Sequence, residues 1–290
     1  MSLLQSSVRA VLALCTVLAS TAWAAPLAVV DTVQAPAWLT RGGQVLPLTP
    51  GMEVKDTDRI NTGANARAYI KLAEGSTVKL GENTQFVFYS EMKQPSDHFR
   101  GVLEIAKGAF RYTTGLLGKL KTRDLSVRVG VSTIGIRGTD VWGRAHEAED
   151  MAVLIEGKVE MSRGSESMLL DKPLIQCRVP RDAAMLPLEK IDMSTLESLA
   201  RETEILPGDG ALAKGGRWKL MLGESDNQAS ALALYDRARN AGYAARIKVS
   251  KQAEAHVYTV HLPGFASQAE ALAAAPRLKA SIGVDATPGK

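Results

Sequence analysis

Trp218-Lys-Leu-Met-Leu-Gly223 recurs forty residues on as Tyr258-Thr-Val-His-Leu-Pro263, and Gln228-Ala-Ser-Ala-Leu232 recurs as Gln268-Ala-Glu-Ala-Leu272. Each copy runs an alternating strand through a turn into an Ala/Leu-rich helix, so the stretch reads strand, helix, strand, twice over. In the first copy Leu220 and Leu222 share one strand face, while Lys219 and Met221 share the other. The helix expected from Gln228 to Asn240 offers Leu232, Leu234, Tyr235 and Ala238 as its covering face, and Gly242 is placed to end it. The second copy sends Tyr258, Val260 and Leu262 inward, Thr259 and His261 outward, with Gln268 to Lys279 as the covering helix. Two helices on one side leave the other sheet face open. That face is expected to display Lys219, Met221, Arg246, Lys248, Thr259 and His261, and the module is an α+β unit of ferredoxin/RNP-like order β-α-β-β-α-β over residues 217–285, with 286–290 as a tail.

The whole chain has room for more than this module. Its 290 residues are 46% hydrophobic, enough for two separate cores, so a multidomain protein is expected. The formal charge of +4, one less once Arg9 is removed with the leader described next, is too mild to demand an anionic partner by itself. Residues 1–24 carry Arg9, an apolar run from Ala10 to Ala19 and an Ala22-Trp-Ala24 end, the parts of a cleavable signal peptide. The run is shorter than the roughly 20 residues that a bilayer needs. A periplasmic protein without a membrane span after cleavage is the expectation. Cys177 is then the sole remaining thiol, and with no His-bearing motif around it a structural role is favoured over a nucleophilic one.

Residues 25–163 read as all-β. Ala68, Ile70 and Leu72 alternate up to Glu74-Gly75, and Val78 and Leu80 alternate on the way back. Val102 to Tyr112 around Gly108, and Val153 to Met161 around Gly157, repeat that grammar, which suggests strand-glycine-strand hairpins in a β roll or solenoid. Gly51-Met-Glu-Val-Lys-Asp-Thr-Asp58-Arg-Ile-Asn-Thr-Gly63, Ala68-Tyr-Ile-Lys-Leu-Ala-Glu-Gly75-Ser and Val131-Ser-Thr-Ile-Gly135-Ile-Arg-Gly138-Thr-Asp140 together resemble the FecR domain over about 35–163. The resemblance implies an extracytoplasmic, β-rich domain, known first from the sensing half of iron-siderophore signalling proteins. The cytoplasmic segment and membrane helix of such regulators have no counterpart in the sequence, so a protein or envelope ligand is expected rather than sigma-factor control. Gly135, Arg137, Gly138, Thr139 and Asp140 form the most specific motif. It is either a recognition loop or a buried Arg137–Asp140 pair pinning a glycine-rich crossover.

Residues 164–216 change composition, with Pro173, Pro180, Pro187 and Pro207, and read as a connector with one short helix begun by a Ser194–Glu197 capping pair. Beyond it the order Trp218-x-Leu-x-Leu-Gly223, Asn240-Ala-Gly242-Tyr243-Ala-Ala-Arg-Ile247 and Val257-Tyr258-x-Val-x-Leu-Pro-Gly-Phe265-Ala-Ser267-x-x-Glu270 is similar to a SPOR (sporulation-related repeat) domain. Members of that family bind septal peptidoglycan, preferring glycan strands denuded of stem peptides, through the open sheet face. This sequence departs from the pattern at Met221, where the family usually has Gln, at Gly223-Glu224-Ser225 in place of Gly-Ser-Phe, and at His261 in place of a cation. A thioether cannot hydrogen-bond a sugar as a glutamine amide does.

An enzyme is not expected. His98, His146, His256 and His261 form no H-x-H or H-E-x-x-H arrangement, so neither a metal site nor a cofactor is predicted. Gly115-Leu-Leu-Gly118-Lys119 is too short for a phosphate-cradling loop, and no carboxylate pair is marked out for glycan cleavage. Nucleic acid is excluded by export and by an outward face without aromatics for base stacking. The expected function is a non-enzymatic cell-envelope protein serving peptidoglycan binding, with cell division as the associated process. The alternative is a protein-interaction scaffold or envelope sensor whose C-terminal module has lost glycan binding.

Overall fold

In the computed structural model, residues 26–90, 98–115, 122–252 and 255–290 are described. The signal-peptide expectation for 1–24 and the centre of the Gly115–Lys119 stretch lie outside them. The described chain is mostly strand, with three helices.

The N-terminal body is organised by one long strand, β9 (His98–Thr113), which belongs to two sheets at once. Its first half pairs with β8 (Gln85–Ser90) and, in parallel, with β10 (Thr122–Val129). Its second half pairs with β7 (Thr77–Leu80) and β12 (Asp140–Ala145). Gly108 sits at the changeover with φ +93°, and a Cβ there would stand 2.3 Å from Thr84 Oγ1. The glycine expected to turn a hairpin instead lets one strand bend from sheet to sheet. Gly157 (φ +89°) does the same between β13 (Glu149–Glu156) and β14 (Val159–Arg163), because β13 pairs with β12 while β14 joins β11 (Ser132–Ile136) in the other sheet. Of the three expected hairpins only that at Gly75, joining β6 (Arg67–Leu72) to β7, is one.

The first sheet runs β1 (Ala28–Gln34), β6, β7, β9, β12, β13, β16 (Ile175–Pro180), β17 (Glu189–Lys190), with β4 (Glu53–Val54) also on β1. The second runs β3 (Gln44–Pro47), β2 (Ala37–Arg41), β5 (Arg59–Thr62), β8, β9, β10, β11, β14, β15 (Glu166–Leu170). Alternating side chains from both, including Leu39, Ile70, Phe86, Leu103, Phe110 and Ile134, close a dry core between them. Cys177 is fully buried in that core, and burial pushes its thiol up to about 11, which leaves it an unreactive core residue.

The structure corrects the reading of 164–216 as a connector. Two of its segments, β15 and β16, are full members of the two sheets, where Met168 opposes Met161 and Cys177 opposes Ala152. The prolines misled the reading because they flank or end strands rather than interrupt them. The short helix α1 (Met193–Arg201) is present, but its N-cap is Asp192, whose carboxylate accepts from Thr195 N at 2.7 Å and from Ser194 Oγ at 3.0 Å. Ser194 is thus inside the first turn, one step too late to cap. Leu196 and Ile191 pack on Trp142, Met151 and Val153, so α1 lies on the outer face of the first sheet.

The C-terminal module follows the order β19 (Trp218–Ser225), α2 (Gln228–Asn240), β20 (Arg246–Gln252), β21 (Ala255–Phe265), α3 (Gln268–Ile282), β22 (Thr287–Gly289). Its all-antiparallel sheet runs β20, β21, β19, β22. The expected tail at 286–290 is therefore corrected: most of it is the edge strand β22, with Pro288 opposite Leu220. Both helices cover one face, but through small side chains: Ala231, Ala238, Ala271 and Ala274 are buried, whereas Leu232 and Leu272 are exposed. Alanine at those positions lets the helices sit close to Leu220, Leu222, Val260 and Leu262.

The two bodies are joined by more than the chain. Strand β18 (Leu212–Ala213) pairs with Thr32 and Val33 of β1 on one side and with Phe265 of β21 on the other. The Glu270 carboxylate, in the first turn of α3, accepts from the backbone N–H groups of Gly208, Gly210 and Ala211 at 2.6, 2.7 and 3.1 Å. Gly242 (φ +84°) presses on Trp38, whose indole donates to Asn240 O at 3.3 Å.

Candidate functional site

The open face of the C-terminal sheet is built by register. Arg246, His261, Met221 and Thr287 lie in one cross-strand row over four strands, and directly opposed residues point to the same side. The next row is Lys248, Thr259 and Glu224. Lys219 stands opposite Pro263 at the far end. All six candidate residues, Lys219, Met221, Arg246, Lys248, Thr259 and His261, are therefore brought to one face. Glu224 joins them for a local reason. A register shift between Met221 and Gly223 inserts one extra residue, so Met221 and Glu224, three apart in sequence, both face outward.

Electrostatically the face is positive. His261 is held below its usual 6.5, first by burial and then by the nearby charges of Lys219, Arg246 and Lys248, against a smaller raising contact from Thr259. Arg246 and Lys248 are exposed, and no ion pair of Lys219, Arg246 or Lys248 is formed among the described residues. The counter-charge on the face is Glu224, which accepts from Thr259 Oγ1 at 3.0 Å and helps keep that hydroxyl only 7% exposed. Three free cations around a neutral imidazole, with a thioether between, suit a polar, extended ligand carrying hydrogen-bond acceptors.

The glycine-rich motif of the N-terminal body resolves differently. Asp140 is buried, and its partner is Arg111, which grips it through Nε at 2.9 Å and a terminal nitrogen at 2.7 Å. Arg137 is exposed, so the expected Arg137–Asp140 pair is not made. Residue 139 separates the two in conformation: the chain enters β12 at Asp140, and Gly138 (φ +78°) has already turned Arg137 away. Thr139 is buried with its backbone N–H on Thr114 Oγ1 at 3.0 Å, while Gly138 O lies against Gly157 and Gly135 sits mid-strand in β11. The motif is thus a packed corner with one exposed arginine.

Arg111 also donates to Glu204 at 2.8 Å, and the Glu204 carboxylate takes Lys79 at 2.7 Å and the Tyr69 hydroxyl at 3.0 Å. Glu202 pairs with Arg144 at 3.0 Å, and Arg67 donates to the backbone oxygens of Arg201 and Glu202. Tyr69, Lys79 and Arg111 occupy one row on the outer face of the first sheet. The segment after α1 therefore straps that basic face with its own carboxylates. Sequence reasoning missed this strap, since its partners lie 58 to 135 residues away.

These features define a class: a strand-built body rigidly joined to a small one-sided α+β module with an open basic sheet face. Comparison with family models places the FecR protein family on residues 58–160 and the SPOR domain on residues 214–287. The chain carries a FecR domain followed by a SPOR domain, in the order its motifs indicated. Both are non-catalytic domain families. Strands β1 to β4, β15 and β16 lie outside the FecR match but complete its two sheets. Comparison with curated proteins gives no match. Among solved structures, a crystal structure of a candidate anti-sigma factor from Parabacteroides distasonis is similar, at 15% identity over 69% of this chain and 97% of that one, TM-score 0.40. A second crystal structure of an anti-sigma factor candidate from that organism is 15% identical over 78% of this chain and 91% of that one, TM-score 0.41. Among the described residues no helix is long and apolar enough to cross a membrane.

Proposed function

We propose that this protein is a non-enzymatic periplasmic cell-envelope component that binds the glycan strands of peptidoglycan through the open face of its SPOR domain, while the FecR domain engages a protein or envelope ligand. The observation that carries the reading is the unpaired basic row around His261. Lys219, Arg246 and Lys248 would donate to sugar and acetamide oxygens, His261 would offer one donor and one acceptor while neutral, and Met221 would pack against a pyranose face. The rows span four strands, roughly 14 Å between the outer two, which accommodates a short run of an extended polymer.

The test is sedimentation of residues 26–290 with amidase-treated sacculi. The wild type should pellet, and Arg246→Ala combined with Lys248→Ala should reduce the pelleted fraction about tenfold, the loss of roughly 1.4 kcal/mol for two charge-assisted contacts. Equal pelleting of both proteins would refute the assignment of the face.

One observation favours the second reading, a scaffold or sensor whose module has lost sugar binding. Glu224 occupies the Thr259 hydroxyl and brings a negative charge onto the face. Under that reading Glu224→Ser restores pelleting to a wild type that lacks it, and soluble denuded glycan fails to displace any protein partner.

A further inference from the structure

A second site lies on the FecR body, independent of the glycan reading. Beside the strap, a cavity of about 520 Å³ is lined by Arg67, Glu82, Ala109, Arg144, Arg201 and Glu202, among others. A neighbouring cavity of about 330 Å³ is lined by Arg144, His146, Glu149 and Met151. Arg144 is common to both walls, so the two cavities meet on either side of it. Their floor crosses the ends of β6, β7, β9, β12 and β13, neighbours at about 4.8 Å spacing, which gives a groove about 19 Å long. Arg67, Gly81, Ala109, Arg144 and Met151 share one cross-strand row near the line of that floor. The small residues between the two arginines keep it low: a Cβ on Gly81 would already stand 2.8 Å from Glu202 O of the strap.

The groove is polar with a defined centre. Arg144 is stacked 5.5 Å over the Trp142 ring, which fixes the plane of its guanidinium. It bonds the Glu202 carboxylate through one nitrogen alone, at 3.0 and 3.3 Å. Nε and the other terminal nitrogen are left to present a two-pronged donor edge. Arg201, exposed at the end of α1, adds a second cation on the wall. Glu202 is the resident competitor, and burial raises its carboxyl above the usual range in spite of Arg144.

We propose that this groove binds an extended peptide of about five or six residues carrying a side-chain carboxylate, seated on Arg144. Length and chemistry both favour a peptide: extended chain rises about 3.3 Å per residue, and a planar carboxylate is what a guanidinium edge selects. A neutral glycan has no group that makes that bidentate contact.

The test uses residues 26–290 and a capped probe, acetyl-Ala-Ala-Glu-Ala-Ala-amide, with the Gln analogue as control, followed by backbone amide NMR. Saturable shifts at Ala109, Arg144 and Arg201 are expected with the Glu peptide, and at least fivefold weaker binding with the Gln peptide. Glu202→Gln should tighten Glu-peptide binding severalfold by removing the competitor, an effect that a purely structural Glu202 would not produce. Arg201→Ala, on an exposed side chain, should weaken it about threefold without loss of fold. Equal response to both peptides, or shifts confined to the C-terminal sheet, would overturn the proposal. Weaker binding to Glu202→Gln in a protein of unchanged melting temperature would do so as well.

Discussion

Two sheets in this molecule each bury one face and turn a basic face outward, and they differ in what happens to that face. On the FecR body, Lys79, Arg111 and Arg144 meet Glu204 and Glu202, supplied by the strap that follows α1. On the SPOR module, Lys219, Arg246 and Lys248 form no such pairs among the described residues, and Glu224 hydrogen-bonds Thr259 instead. The lesson is physical. A cation whose charge is met inside the chain contributes to the fold, and its loss exposes a buried carboxylate to desolvation without compensation. A cation left facing water contributes little to stability and is available to a ligand.

The largest expected difference between the two faces is in stability. Arg111→Ala leaves both Asp140 and Glu204 short of their partner and should cost about 3 kcal/mol in urea unfolding. Arg246→Ala, on the open face, should stay within about 0.5 kcal/mol. A comparable loss in both would erase the distinction. A smaller effect is expected at the junction. Glu270→Ala removes the acceptor for the N–H groups of Gly208, Gly210 and Ala211, at about 2 kcal/mol. Calorimetry should then show the module melting ahead of the FecR body, where the wild type gives one transition.

The smallest effect is in titration. The fold holds His261 below its usual 6.5, so the neutral form is favoured in the native state. Its contribution to stability is full above about pH 6.5 and is lost as the pH falls through that value toward the lower native one. NMR titration should place His261 below 6.5, and Lys248→Ala should move it back upward, since Lys248 is one of the charges depressing it. No movement would mean that burial alone sets the value.

The repeat from Trp218 was legible because alternation and helical period are local properties, and they placed all six candidate residues on one face. The strands around Gly108 and Gly157 were legible, but their connections were not. Positive φ serves a hairpin and a sheet-to-sheet bend equally well, and the choice is made by which strands lie alongside. The Arg137–Asp140 pair was plausible from a spacing of three, yet Arg111 reaches Asp140 from the neighbouring strand β9, 29 residues earlier in the chain. The strap was hidden for the same reason, since Glu202 and Glu204 carry no local sign of the arginines and lysine they meet. Glu224 was recognised as a negative charge near the face, but the bulge that puts it in line with Lys248 and Thr259 is a tertiary feature.

The most direct measurement is a chemical-shift map of the 26–290 protein titrated with soluble denuded glycan strands. The account predicts saturable shifts along Arg246, His261, Met221 and Thr287 and along Lys248, Thr259 and Glu224, with the strapped face of the FecR body silent. Shifts at Lys79, Arg111 and Glu204, or none on the C-terminal rows at saturating glycan, would contradict it.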